Sequence, residues 1–301
     1  MKRIPLKLYI YISLTFLIIL LIRSKTFQFP HVISWNHLLI SFILLFIAFI
    51  FNALAWTFVL RNKGFSISSK SGTASLGLSI FGKYIPGKIW IILGRAEYVS
   101  QKYELPRSEI ISLSVNTQFI SLWTGLLIGT IGTLSLNAFG FYSVGIICLF
   151  VLLSLIIFTP SAHSLTGILF KRVFKRKLSV PRLATLQIIR ILPWFCLNWL
   201  FWCMGFYFFA GSLTETPISL NLSLGFALAG SLGIMAVIMP GGLGVREGVL
   251  AGFLTLAGLD LNTATTISIA SRIWFLVGEA FIFLVGFILH KMDETSKKAI
   301  K

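Results

Sequence analysis

The chain has 301 residues, of which 56% are hydrophobic and only 12% are charged. Soluble domains carry about 25% charged residues, and a soluble chain this apolar could not cover its surface with polar groups. The formal net charge of +17 would suit a nucleic-acid-binding protein. We expect no nucleic acid here, because in a membrane protein such an excess reflects loops that face anionic lipid. Composition therefore excludes a soluble domain and predicts an all-α polytopic membrane protein.

The first predicted element is an apolar run over residues 8–22, which follows the basic segment MKRIPLK and resembles a signal peptide. No small-residue cleavage site follows the run, so we expect an uncleaved first span. Each further span is long enough, or nearly so, to cross about 30 Å of hydrocarbon. These spans are predicted at 35–60, 108–136, 141–159, 183–210 and 262–289. With the first, they make about six spans in a single transmembrane domain over residues 1–301.

Two further apolar segments, 71–94 and 221–259, do not fit plain spans because proline and glycine interrupt them near the middle. The interruptions are Pro86-Gly87 and Pro240-Gly241-Gly242. Proline removes a backbone donor, and glycine permits turns that other residues resist. Within a bilayer such a break is tolerated mainly where protein or a wet cavity surrounds it.

Lys and Arg are distributed unevenly over the predicted loops. Nineteen of them lie in the two terminal segments and in loops 61–70, 95–107 and 160–182, whereas the opposite side has only Arg23 and Lys25. The positive-inside rule therefore predicts a multi-pass protein of the inner or plasma membrane with both termini in the cytoplasm.

This orientation decides how the two interrupted segments cross the membrane. Segment 71–94 enters and leaves from the cytoplasm and is predicted to be a re-entrant hairpin. Segment 221–259 starts and finishes outside, either as a second hairpin or as two full spans. Two broken elements that enter from opposite faces are typical of an inverted repeat with a binding site near the midplane.

Charged side chains deep in a bilayer are unfavourable unless they are paired or hydrated. Those near the two breaks and in the last span are Lys83, Lys88, Arg95, Glu97, Arg246, Glu247, Arg272 and Glu279. Arg272 and Glu279 are seven residues apart and therefore lie on one helix face. A further arginine, Arg190, lies near a span end and can snorkel to the interface. For the other charged residues, two structural interpretations remain open: they lie at the membrane interface, or they form structural salt bridges.

Taken together, these residues predict a cationic pocket at mid-depth. Gly241, Gly242 and Gly244 let the backbone approach a ligand, and a helix that starts near Val245 points its free amides at the break. With Arg246, Arg272 and the hairpin lysines Lys83 and Lys88, this pocket suits an anionic lipid head group, most naturally a phosphate. The carboxylates expected to offset part of the charge, or to bind a coupling proton, are Glu247 and Glu279.

Three stretches around these residues resemble the signature blocks of one membrane family. KYIPGKIW…GRAEYV, MPGGLGVREGVLAGFL and IASRIWFLVGE are similar to blocks of the lysylphosphatidylglycerol synthase transmembrane region, also called the flippase-like domain family. The resemblance covers about residues 6–290. It implies movement of lipids or polyprenyl-linked sugars, because the family includes the membrane half of the bacterial multiple peptide resistance factor, which translocates aminoacylated phosphatidylglycerol. By matching blocks, the implied site residues are Pro86, Gly87, Arg95, Pro240, Gly241, Gly242, Gly244, Arg246, Glu247 and Arg272.

The full-length resistance factor also carries a soluble transferase domain. Only the segment KMDETSKKAIK follows His290 here, so we expect no such domain and no lysyl transfer. The histidines do not cluster, and the cysteine spacing matches no metal or redox motif. We therefore expect no metal, no cofactor and no catalytic residue.

Three functions stay open. The first is a translocase that binds an anionic phospholipid or a lipid-linked sugar. The second is a membrane-embedded lipid-modifying transferase, with Glu247 or Glu279 as the acid–base group. The third is a non-transporting accessory protein that binds an envelope-biosynthesis enzyme. The small-residue pair Gly125 and Gly129 could pack against such a partner or within the chain.

Overall fold

The computed structural model describes residues 31–85, 89–136, 140–159, 183–236 and 239–299. Within these ranges every regular element is helical, which confirms the predicted all-α class. The helices are α1 (Trp35–Asn62), α2 (Ser69–Ser79), α3 (Ile89–Tyr103), α4 (Arg107–Ser135), α5 (Phe141–Phe158), α6 (Thr185–Gly211), α7 (Leu220–Ser223), α8 (Gly225–Met235), α9 (Val245–Leu256) and α10 (Leu261–Ala299). Two 3₁₀ turns, Ile80–Tyr84 and Pro240–Gly242, follow α2 and α8.

Four helices are long and apolar enough to cross a membrane: α1, α4, α6 and the Leu261–Thr295 part of α10. The segments Tyr142–Phe158 and Leu220–Met235 are apolar but shorter. The predicted first span, 8–22, and residues Pro86, Gly87 and Lys88 lie outside the described residues. The count of six spans and the inverted repeat stay predictions.

Two helices extend well past their predicted ends. Helix α3 continues from the first break to Tyr103, although the apolar segment was predicted to end at residue 94, and α10 continues to Ala299 rather than 289. The predicted ends followed the fall in hydropathy. The polar residues beyond those ends find partners on each other's helix: Lys102 forms an ion pair with Asp293, and Tyr98 Oη lies 3.3 Å from His290 Nδ1.

Small residues allow the helices to approach closely. A Cβ atom at Gly77 of α2 would lie 2.3 Å from the Ile282 carbonyl oxygen of α10 and 3.0 Å from Gly286 Cα. A Cβ atom at Gly129 of α4 would lie 2.7 Å from Leu228 Cβ of α8. In lipid, where apolar side chains gain little by leaving their solvent, such backbone contact is a main source of helix association. The Gly129 contact shows that this glycine packs within the chain.

The two arms of each interrupted segment pack against each other, α2 against α3 and α8 against α9. The two segments also meet at their 3₁₀ turns. Gly241, in the second turn, approaches Tyr84, in the first, so closely that a Cβ atom there would lie 2.6 Å from the Tyr84 ring. Both 3₁₀ turns therefore lie in the same interior region, beside α10.

The close contact of α2 with α10 predicts that Gly77→Ala lowers the thermal unfolding midpoint in detergent. The added methyl group meets backbone rather than a flexible side chain, and such overpacking typically costs about 1–3 kcal/mol. The matched control is Gly252→Ala in α9, where a Cβ atom would meet nothing within 4 Å. Equal midpoints for the two variants would contradict the contact.

Candidate functional site

The centre of the site is a buried carboxylate on α10. Glu279 is 1% exposed and forms an ion pair with Lys83. The Tyr84 hydroxyl donates a second hydrogen bond, 2.7 Å long, to Glu279 Oε2. Lys83 and Tyr84 both belong to the 3₁₀ turn Ile80–Tyr84, so this carboxylate attaches the first broken segment to α10.

A second ion pair attaches the other broken segment to α10. Arg272 Nη1 donates to the Gly241 carbonyl oxygen at 2.9 Å and lies 3.3 Å from Glu247 Oε1. The other carboxylate oxygen of Glu247 accepts the Gly244 N–H at 2.7 Å, and Ser268 Oγ donates to the Glu247 carbonyl oxygen at 2.7 Å. Glu247 therefore caps α9. The sequence predicted that amides at the start of this helix point at a ligand, but the chain's own carboxylate already accepts the Gly244 amide.

Arg246, beside Glu247, forms no ion pair with a carboxylate of the described residues. It is 7% exposed, and its Nε and Nη2 atoms are buried without a hydrogen-bond partner among the described residues. Its guanidinium carbon lies 4.7 Å from the ring centroid of Phe226 and 4.4 Å from that of Phe275. Cation–π contacts with two rings recover part of the lost hydration, but they satisfy no N–H group.

The charges of this cluster do not cancel. Lys83 pairs with Glu279 and Arg272 pairs with Glu247, which leaves Arg246 as the surplus cation of this cluster. A buried charge without a counter-charge is strongly unfavourable in a low-dielectric interior. Such an arrangement is therefore expected to bind a single negative charge.

A cavity of about 940 Å³ adjoins this cluster, between α3, α4, α5, α6 and α8. Most of its wall is aliphatic or aromatic. Its charged lining residues are Lys83, Arg95, Arg107 and Arg246, and no acidic residue of the described chain lines it. On α4 the wall includes residues from Arg107 to Leu122, so the cavity extends about 22 Å along that helix.

Arg95 lies in the wall of the same cavity but belongs to a different polar group. It is 4% exposed, and its Nε and Nη2 atoms donate to Ser114 Oγ at 2.6 Å and to the Ser114 carbonyl oxygen at 2.5 Å. Nearby along α3, Glu97 Oε2 lies 2.5 Å from Arg107 Nε. Both α3 residues are therefore held in place by α4, and neither is an exposed interfacial residue.

The structure brings together most of the residues that the sequence singled out. Around the Glu279 carboxylate and the second break it assembles Lys83, Gly241, Arg246, Glu247, Arg272 and Glu279. Pro240 opens the second 3₁₀ turn, and φ is positive at Gly241, Gly242 and Gly244. Sequence reasoning missed Tyr84, Phe226 and Phe275. Only Tyr84 carries a signal, as a hydroxyl beside Lys83 at a predicted break.

The fold and the site define a multi-pass helical membrane protein with a polar cluster between two broken helical segments. The family model described as the lysylphosphatidylglycerol synthase TM region matches residues 8–286, and the chain belongs to this family. No curated protein matches the sequence significantly.

The contact between the two 3₁₀ turns predicts that Gly241→Ala destabilises the protein. At φ 58° a side chain costs about 1–2 kcal/mol, and the new methyl group would also lie 2.6 Å from both Arg272 Nη2 and the Tyr84 ring. The control is Gly258→Ala, since φ there is +101° but nothing lies within 4 Å of the added Cβ. A thermal unfolding midpoint for Gly241→Ala no lower than that of Gly258→Ala would show that the turns are not in contact.

Proposed function

We propose that this protein binds an anionic lipid head group, that of a phospholipid or a polyprenyl-phosphate-linked sugar, and moves it across the membrane. The observation that carries the proposal is Arg246, a buried guanidinium in the wall of an apolar cavity, two of whose nitrogens have no hydrogen-bond partner in the described part of the chain. A phosphate oxygen would provide the missing acceptor and the missing negative charge, and charge-assisted hydrogen bonds of this kind are the strong ones.

The cavity wall supports a lipid rather than a small soluble anion. Aliphatic and aromatic residues form most of it, and basic groups are its charged members. This division matches an amphiphile whose chains pack against apolar side chains while its phosphate contacts the cations. The wall includes Leu152 of α5, a side chain that is 54% exposed. Acyl chains would enter sideways, past this helix.

The carboxylates favour binding over chemistry. A lipid-modifying transferase needs an acid–base group that can reach the reacting atoms. Glu279 is held by Lys83 and Tyr84, and Glu247 is held by Arg272 and the Gly244 amide. Neither lines the cavity. We therefore assign both to counter-charges that position the cations.

The positions of two basic residues in the cavity wall, Arg107 and Arg246, suggest a direction of access. Arg107 is the first residue of α4 and ends the basic segment 95–107, which the positive-inside rule places in the cytoplasm with both termini. Arg246 lies at the opposite end, beside the second break. A head group would enter at Arg107, reach Arg246, and leave on the other side when the two broken segments move relative to α10. Such alternating access between opposed broken helices is an established transport geometry.

The test is lipid movement in vesicles that contain the purified full chain. The probe is phosphatidylglycerol with a fluorescent acyl chain, whose movement between the leaflets is followed by chemical bleaching of the label. Arg246→Gln is expected to slow this movement at least about tenfold, because a lost charge-assisted contact is worth about 1.5–3 kcal/mol. The matched control is Arg190→Gln, since Arg190 is exposed on α6 and does not line the cavity. Equal rates for Arg246→Gln and the unmodified chain would refute the proposal.

A further inference from the structure

We propose that Glu279 is an internal counter-anion that occupies Lys83 in the empty site and competes with the phosphate of the lipid for it. This inference rests on the proposed function. It makes Glu279 a positioning residue, which acts on the lipid only through Lys83. It also separates the two ion pairs of the site into one that opens on binding and one that remains closed.

The two members of the pair differ in their access to the cavity. The Lys83 side chain is 22% exposed and lines the cavity, whereas the Glu279 side chain is 1% exposed and does not. An anion in the cavity can therefore reach the ammonium group without touching the carboxylate. Binding of the anion to Lys83 then takes place in competition with Glu279.

The position of Lys83 places it beside the surplus cation. Its ammonium nitrogen lies 5.0 Å from the ring centroid of Phe275, and the Arg246 guanidinium carbon lies 4.4 Å from the same centroid. Both cations line one cavity around one aromatic ring. A phosphate bound by Arg246 is thus presented to an ammonium group that has three N–H donors and a flexible stem.

Glu279 keeps a partner when Lys83 turns away. The Tyr84 hydroxyl donates to Glu279 Oε2, the oxygen that Lys83 does not bind. The carboxylate therefore retains one hydrogen bond in the lipid-bound state, which limits the penalty of a buried, unpaired charge. After the lipid leaves, the carboxylate recovers the ammonium group, so the competition weakens binding and favours release.

The Arg272–Glu247 pair has a different construction. Glu247 caps α9 through the Gly244 amide, and Arg272 also binds the Gly241 carbonyl oxygen. Opening this pair would release backbone groups of the second break. We therefore assign it to the framework, and it provides a control in which a negative charge is removed from the same cluster.

The experiment measures binding of dioctanoyl-phosphatidylglycerol to the purified full chain in detergent. Glu279→Gln is expected to bind this lipid about tenfold more tightly than the unmodified chain, because Lys83 has lost its competitor. Glu247→Gln is expected to show no such gain. In Lys83→Gln/Glu279→Gln the gain is expected to disappear. Glu279→Asp, which keeps the charge but shortens its reach, is expected to lie between the unmodified chain and Glu279→Gln.

Several outcomes would overturn the inference. Unchanged or weaker binding by both Glu279→Gln and Glu279→Asp, at an unchanged unfolding midpoint, would exclude competition. An equal gain in Glu247→Gln would show that any lost negative charge has this effect. Inorganic phosphate that binds as tightly as the lipid would assign the site to a free anion. Failure of the proposed function has its own signature: Arg246→Gln would then bind the lipid as tightly as the unmodified chain.

Discussion

A charge that is withdrawn from water must find a counter-charge, and this constraint organises the interior of the protein. Glu279 of α10 is paired with a basic residue of the first broken segment, and Glu247 of the second broken segment is paired with a basic residue of α10. Lys83 and Tyr84 join the first segment to Glu279, while Glu247 joins the second to Arg272. Helix α10 is thus the common support of both breaks. The irregular backbone persists because protein groups replace the water that would otherwise solvate it.

Arg246 departs from that rule, and the departure is local. Its guanidinium group lies against two aromatic rings, while two of its nitrogens have no acceptor among the residues that the structure describes. Stability alone would favour an apolar side chain at this position. Unfavourable arrangements of this kind concentrate at sites where a ligand supplies the missing interaction. The surrounding wall is mostly apolar, and for this reason the ligand that we propose combines a negative charge with apolar chains.

The sequence contains the composition, the two breaks and the charges near them. These were sufficient for the helical class and the family, and they singled out most of the residues that meet at the polar cluster. The sequence does not contain the pairing. Lys83 and Glu279 are separated by 196 positions, and nothing in their local patterns states that they meet. Phe226 and Phe275 could not be singled out among 28 phenylalanines in an apolar chain. Helices α3 and α10 continue past the predicted apolar segments where polar residues such as Glu97 and Asp293 are held by contacts between helices, because hydropathy measures single residues and not their partners.

The length of α10 has a mechanical consequence. This helix has 39 residues, which corresponds to roughly 58 Å, and it carries Arg272, Glu279 and Asp293 on one continuous rod. Asp293 holds Lys102 at the far end of α3, about 21 Å along the rod from Glu279. A tilt or rotation of so stiff an element displaces all three groups together. The ion pairs beside the cavity and the pair at the distant end are therefore mechanically coupled through α10. A change in the ion pair at one end of the helix is transmitted to the ion pairs at the other.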